Sequence, residues 1–173
     1  MLCDVLNLYI LARGIIMIKI NERKVKTINI SGRGGKEALL SSIFPSFQRK
    51  DAALYDLVDT AGNKIELKKQ RDVQWFDAGK YHNLSDEQKL INMVFVMHEE
   101  GKVQQIMSMT LGSMLEILTT NKTYKTWGWE WDNIKMCHLQ KTKFPTQQAK
   151  IQIKVKKFFN ENKNSFNVLW KRG

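Results

Sequence analysis

The residues of this chain whose types and spacing could do chemistry are two carboxylates and a lysine, Asp56, Glu66 and Lys68. Alternate residues of a β-strand share a face, so Glu66 and Lys68 would project together, about 6.8 Å apart. Carboxylates suit Mg²⁺, which takes a small number of them together with waters and phosphate oxygens. A lysine beside metal-bound water can orient or help deprotonate it and can stabilise the charge that grows on a phosphorane. This is the chemistry of phosphodiester hydrolysis.

The segment that carries these residues has the pattern of a β-hairpin. Two alternating runs, 54–58 and 64–69, flank the turn residues 59–63. If the hairpin is centred on Ala61, the mirrored pairs are 56 with 66, 58 with 64 and 54 with 68. The three reactive side chains then share one face. The opposite face carries four apolar residues that would form a core contact: Tyr55, Leu57, Ile65 and Leu67.

Two carboxylates that face each other on a sheet repel and destabilise it unless something offsets their charge. A divalent cation is the usual solution, and Asp56, Glu66 and the Leu67 carbonyl are candidate ligands for Mg²⁺. The alternative is a solvated hairpin face with scattered charges. The pattern D-x9-E-x-K is loose, and it occurs by chance in many lysine-rich chains.

The same residues carry a resemblance to a known family. The motifs Gly34-Gly-Lys36, Asp56-Leu-Val-Asp59, Ala61-Gly62 and Glu66-Leu-Lys68 resemble those of the PvuII-type restriction endonucleases of the PD-(D/E)xK nuclease superfamily. The match runs without a gap from Gly34 to Lys68, and a weaker likeness continues as far as Lys143-Phe-Pro145. Two departures concern DNA reading, because the family's histidine run is Tyr81-His-Asn83 here and its Asn-Asn pair is Gln140-Lys141.

The resemblance implies a Mg²⁺-dependent homodimer that cuts both strands of double-stranded DNA at a short palindrome. Asp56 and Glu66 would be metal ligands and Lys68 the catalytic lysine. It also implies the α/β/α restriction-endonuclease-like core. Residues that we expect to contact DNA lie in the glycine loop, in the loop after the catalytic strand and in a later basic stretch: Arg33, Lys36, Lys80, Tyr81, His82, Asn83, Gln140 and Lys141.

Length and composition set the frame for this interpretation. A chain of 173 residues without a Pro/Gly/Ser-rich linker predicts a single domain, 1–173, that can bury a large core. Its 28 Lys and Arg residues exceed its 17 Asp and Glu residues, which gives a net charge of +11. This excess favours a polyanionic partner, with nucleic acid ahead of an acidic membrane surface or an incidentally basic protein.

Cysteine usage and the N-terminus indicate the compartment. Cys3 and Cys137 form no zinc-binding pattern, so we expect reduced thiols in a cytoplasmic protein. The apolar stretch Met1–Ile20 contains three charged residues and lacks a basic n-region, which excludes a signal peptide and a membrane span. Met1–Ile16 is either a translated leader from an upstream start or a segment for packing or dimerisation.

The remaining pattern predicts an α+β fold with a mixed, mostly antiparallel sheet flanked by helices. Ile18–Ile30 is typical of two short strands with a turn. Trp127, Trp129 and Trp131 would share a face if extended, and we favour core or interface packing for them over base stacking. The other predicted elements are helices at Lys36–Phe44, after Ser85 and at Leu111–Leu118, a central strand at Ile91–Met97, and strands at Val103–Thr110 and Ile151–Val155. The lysine-rich stretches Lys135–Lys143 and Lys150–Lys157 would ordinarily be solvated strand faces, but with a net charge of +11 we expect some of these lysines to line a DNA cleft.

Two rival functions remain at this stage. One is a different nuclease on the same core, such as a junction resolvase or a repair nickase. The other is a DNA-binding module without catalytic activity.

Overall fold

The computed structural model describes residues 16–33, 36–70, 72–120, 122–145 and 148–173. The predictions for Cys3, for Gly34 and Gly35, and for all of the N-terminal segment except its last residue lie outside the described residues. The strands are β1 (Phe47–Arg49), β2 (Leu57–Asp59), β3 (Lys64–Gln70), β4 (Val73–Phe76), β5 (Asn92–Glu99), β6 (Lys102–Thr110), β7 (Thr126–Trp127), β8 (Lys150–Lys154) and β9 (Asn167–Lys171). The helices are α1 (Glu22–Thr27), α2 (Glu37–Ser41), α3 (Asp86–Lys89), α4 (Leu111–Thr119), α5 (Trp131–Gln140) and α6 (Val155–Glu161), followed by a 3₁₀ turn at Lys163–Ser165.

The larger of two sheets has six strands in the order β1-β2-β3-β5-β6-β9, and the smaller has the order β4-β8-β7. Only β3 and β5 pair in parallel among these strands, because the chain between them crosses over through β4 and α3. All other strand pairs are antiparallel. The predicted α+β class, with a mostly antiparallel sheet flanked by helices, is therefore confirmed. None of the helices in the described ranges is both long and apolar enough to cross a membrane.

Strand β5 lies in the middle of the larger sheet and is buried on both faces. Its Met93 and Phe95 pack into one hydrophobic cluster, and its Val94 and Val96 pack into a second cluster on the other face. A strand covered on both sides needs apolar residues at successive positions, which explains the continuous apolar run of this segment. The prediction of a central strand here is confirmed.

The hairpin that brings the reactive residues together has the predicted register. Val58 pairs with Lys64 and Leu57 with Ile65, so the hairpin is centred on Ala61. Gly62, with φ +85°, supplies the left-handed conformation that the turn requires. The Asp59 carboxylate accepts hydrogen bonds from the backbone N–H and the side-chain amide of Asn63, both at 2.8 Å.

One of the four residues predicted on the apolar face of the hairpin is on the other side. Leu57, Ile65 and Leu67 pack in the second cluster, whereas Tyr55 packs against the first. The alternation does not extend to Tyr55 because β2 begins only at Leu57.

The prediction of two strands within Ile18–Ile30 is wrong. The segment forms α1, whose N-cap Asn21 accepts a hydrogen bond from the Lys24 N–H at 3.0 Å. Val25 and Ile28 are three residues apart, a spacing that places both on one helical face and buries both. Only an isolated bridge between Asn29 and Lys102 has strand character here.

The tryptophan segment is also not extended. Gly128, with φ +82°, turns the chain after β7, and Trp131 already begins α5. Trp129 packs on Phe144 with ring centroids 5.0 Å apart, and Trp131 is buried, so core packing is correct for these two. Trp127 is 53% exposed.

The strand-face alternative for the two lysine-rich stretches is largely wrong. Lys135–Lys143 lies mostly in α5, and the second stretch leaves β8 for α6 after Lys154. Two other predictions are confirmed, because a capping box at Ser85 starts α3 and a helix follows β6.

Candidate active site

Strand β3 supplies two of the three predicted catalytic residues. Glu66 and Lys68 alternate with Leu67, so they project from one face while Leu67 packs into the second cluster on the other. Glu66 is only 4% exposed. A carboxylate at this depth needs strong partners to remain charged.

Three donors converge on one oxygen of Glu66. Its Oε1 accepts hydrogen bonds from Lys68 Nζ at 2.6 Å, from the Tyr81 hydroxyl at 2.8 Å and from Lys80 Nζ at 3.4 Å. Burial by itself would raise the pKa of Glu66, but the charge and hydrogen bond of Lys68, the Tyr81 hydroxyl and the charge of Lys80 hold that pKa below its ordinary value. Glu66 is therefore ionised, and its carboxylate has a fixed orientation.

Asp56 lies beside the start of β2 and reaches across to β3. Its backbone N–H donates to the Ile65 carbonyl at 2.8 Å, and its Oδ2 accepts from the Leu67 N–H at 2.7 Å. Burial raises the pKa of Asp56; the Leu67 amide opposes this rise and the negative charge of Glu66 adds to it. The negative charges of Asp56 and Glu66 thus repel each other, as expected from the hairpin register.

The donor set fits a hard cation such as Mg²⁺. Among the described residues, none donates a hydrogen bond to Asp56 Oδ1 or to Glu66 Oε2. The N–H and C=O of one strand residue point to the same side, so the Leu67 carbonyl faces the same edge of β3 as Asp56. The described part of the chain contains no group of three or more His, Cys, Asp and Glu residues placed to hold a metal. Two carboxylates and a carbonyl are the partial set that Mg²⁺ accepts when waters and phosphate oxygens complete it.

Sequence reasoning missed one acidic neighbour of this site. Glu37 is the first residue of α2, and its negative charge contributes to the raised pKa of Asp56. The available signal was an acidic residue directly after the Gly-Gly-Lys motif.

Tyr81 has a different position from the one that base reading requires. Its side chain is 1% exposed, it packs on Phe76 with ring centroids 4.9 Å apart, and its hydroxyl donates to Glu66. The Asp77 carbonyl accepts from the N–H groups of Lys80 and Tyr81 at 3.1 and 3.2 Å, a turn that carries both side chains back towards β3. Both residues were predicted to contact DNA, but the structure places both on the Glu66 carboxylate.

His82 packs inside an aromatic cluster. Its ring centroid lies 4.7 Å from that of Phe144 and 5.6 Å from that of His138. Its Nε2 is 3.2 Å from the Cys137 carbonyl of α5. This contact holds the loop at 81–83 against the C-terminal end of α5.

The other predicted DNA contacts are exposed. Asn83 has φ 53° and follows His82 in the loop, while Gln140 and Lys141 end α5, with Lys141 at φ 55°. The two predicted base-reading segments are therefore linked through His82 and Cys137. Arg33 and Lys36 are also exposed, on the segment between α1 and α2.

A scan against protein-family models gives no match, and a search of the curated proteins gives none either.

Proposed function

We propose that this protein is a Mg²⁺-dependent endonuclease that hydrolyses phosphodiester bonds of double-stranded DNA. The observation that supports this most is the hydrogen-bonded pair that the buried Glu66 forms with the partly exposed Lys68 on β3, beside Asp56. Folding alone does not favour a charged pair at this depth, because desolvation offsets most of the attraction between its members. Hydrolysis of a phosphodiester builds up negative charge around phosphorus in the transition state. A positive charge held in place by Glu66, such as that of Lys68, can stabilise it.

Each residue has a role in this proposal. Asp56, Glu66 and the Leu67 carbonyl would hold Mg²⁺, which acts as a Lewis acid and lowers the pKa of bound water. Lys68, held by Glu66 at 2.6 Å, orients the attacking water and offsets negative charge in the transition state. Tyr81 and Lys80 fix the Glu66 carboxylate.

The exposed basic and amide residues of the chain suit a polyanion. The net charge of +11 attracts DNA without regard to sequence. Exposed Arg33, Lys36 and Lys141 would contact phosphates, while Asn83 and Gln140 can hydrogen-bond adenine in the major groove. In its most specific form, the proposal is a cytoplasmic type II restriction endonuclease that acts as a homodimer on a palindrome, since a twofold enzyme matches a twofold site.

Incubation of the protein with long linear duplex DNA tests this proposal. We expect discrete fragments with Mg²⁺, tight binding without efficient cutting with Ca²⁺, and no cleavage in excess EDTA. Mapping the fragment ends gives the site and the stagger. Undiminished cleavage in EDTA would contradict the metal assignment, and metal-independent binding without hydrolysis would favour a DNA-binding module.

Substrate form and oligomeric state separate the remaining rivals. Nicks without double-strand breaks would indicate a nickase, and cleavage restricted to branched DNA would indicate a resolvase. Sedimentation under reducing conditions should give a species near twice 20.2 kDa. A strict monomer with and without DNA would contradict the homodimer.

A further inference from the structure

A third polar residue continues the reactive face of β3. Gln70 follows Lys68 by two residues, so both side chains project from the same face. Gln70 is 1% exposed, and its side-chain Nε2 is buried without a hydrogen-bond partner in the described part of the chain. A buried amide left without a partner is costly, so native proteins retain one only where something satisfies it.

Gln70 lines a small cavity. Its volume is about 10 Å³, and the residues around it include Lys68, Gln70, Gln74, Tyr81, Phe95 and Phe159. This volume corresponds to a single water molecule, which needs two to four polar partners. Lys68 and Gln70 provide two such partners, and most of the other lining residues are apolar or aromatic.

We propose that Gln70 and Lys68 share one buried water, and that Gln70 is thereby a positioning residue for Lys68. The water site stands on the geometry alone, whereas the positioning role rests on the proposed nuclease function.

The hydrogen-bonding capacities of the three groups agree. An oxygen of water has two lone pairs and can accept from Gln70 Nε2 and from Lys68 Nζ at once. The Lys68 ammonium has three donors, of which one already bonds to Glu66 at 2.6 Å. A second bond, to the water, fixes the rotation of the ammonium and leaves its third donor for the reacting phosphate or its nucleophile.

Nuclear magnetic resonance of the metal-free protein tests the water site without any variant that must fold. We expect NOE and ROE cross-peaks of opposite sign between water and the Gln70 side-chain amide protons, as a long-lived bound water gives. The Gln104 amide, which donates to the Lys102 carbonyl at 3.1 Å, serves as the control and should lack this signature. Absence of the signature at Gln70 overturns the water site, and its loss in Lys68→Met supports sharing with Lys68.

Single-turnover cleavage tests the positioning role. Gln70→Met removes the amide at similar size, and we expect the cleavage rate to fall about tenfold to a hundredfold with unchanged DNA affinity in Ca²⁺, as misplacement of a catalytic group does. Gln104→Met should alter neither quantity.

The outcomes for the inference and for the proposed function differ. A bound water with an unchanged cleavage rate in Gln70→Met would overturn the positioning role. A cross-peak that persists unchanged in Lys68→Met would overturn the sharing. If the wild-type protein cuts no DNA, the nuclease proposal and the positioning role both fail, while the resonance experiment still decides the water site.

Discussion

The two faces of β3 use neighbouring lysines differently. Lys68 projects to the face of Glu66 and Tyr81, where its ammonium bonds to a buried carboxylate. Lys69 projects to the opposite face, where its ammonium donates to the carbonyls of Ile30 and Gly32 at 3.2 and 2.8 Å. Lys68 thus pairs with a carboxylate, and Lys69 donates hydrogen bonds to the backbone of a loop.

Under the proposed function, this difference separates a lysine that takes part in the reaction from a lysine that stabilises the fold. The hydrogen bonds from the Lys69 ammonium to two backbone carbonyls stabilise the fold. An ion pair with one buried member, such as Glu66 with Lys68, contributes little net stability, because desolvation of the carboxylate offsets much of the attraction. We therefore look for its role in the reaction rather than in folding. The comparison predicts that damage to one face affects the reaction, and that damage to the other affects folding.

The largest expected effect comes from the two lysines themselves. Lys68→Ala should lower the cleavage rate by about 10²- to 10⁴-fold with folding and DNA binding nearly intact, because it removes a transition-state contact. Lys69→Ala should cost about 1–2 kcal/mol of unfolding free energy and leave the rate within a few-fold. Single-turnover kinetics and urea denaturation measure both. Equal cleavage rates for the two variants would contradict the assignment of Lys68 to the reaction and of Lys69 to the fold.

A smaller effect is expected at Tyr81. Tyr81→Phe removes one of three donors to Glu66 at constant ring packing, so we expect roughly a tenfold slower cleavage and a loss of about 1 kcal/mol of stability. DNA affinity measured in Ca²⁺ should not change, since the side chain is buried. A loss of affinity without a change in rate would instead support a DNA contact for Tyr81.

The segments that His82 joins extend the comparison to DNA reading. Asn83→Ala should weaken binding to cognate DNA by about 1–3 kcal/mol. Lys141→Ala should weaken binding to DNA of every sequence, and it should reduce the slope of the logarithm of the binding constant against the logarithm of the salt concentration by about 1. His82→Ala should weaken cognate binding and should also lower the free energy of unfolding, because the His82 ring packs on Phe144. Competition binding with random DNA measures these differences. Equal losses on cognate and random DNA for Asn83→Ala would show that the loop contacts only the backbone.

The last effect is on stability alone and concerns a buried imidazole away from the carboxylates. Burial lowers the pKa of His138 to about 4, and the neighbouring His82 adds to this shift. The unfolded chain binds a proton at His138 below about pH 6.5, whereas the folded chain does so only near pH 4. The free energy of unfolding therefore decreases as the pH is lowered from about 6.5 to about 4. The slope contributed is at most about 1.4 kcal/mol per pH unit. His138→Asn should flatten the pH dependence of the unfolding free energy between these values, and an unchanged slope would contradict the assignment.

The sequence by itself determined the local pattern of the site. Alternation along β3 and the turn residues around Ala61 were sufficient for the register that places Asp56 next to Glu66. An apolar run at Ile91–Met97, interrupted only by Asn92, identified β5 as a central strand. These features depend on residues close in sequence, where strand periodicity and turn chemistry leave little choice.

Only the tertiary structure decided what surrounds those residues. Tyr81 lies on Glu66 because a turn at Asp77 returns the chain to β3, and His82 packs on Phe144 because α5 ends beside that loop. The helix at 22–27 likewise forms where isoleucine and valine spacing suggested strands. Short apolar runs fit either a strand or a helix, and contacts between residues distant in sequence select one of them, because burial against a specific neighbour outweighs local propensity.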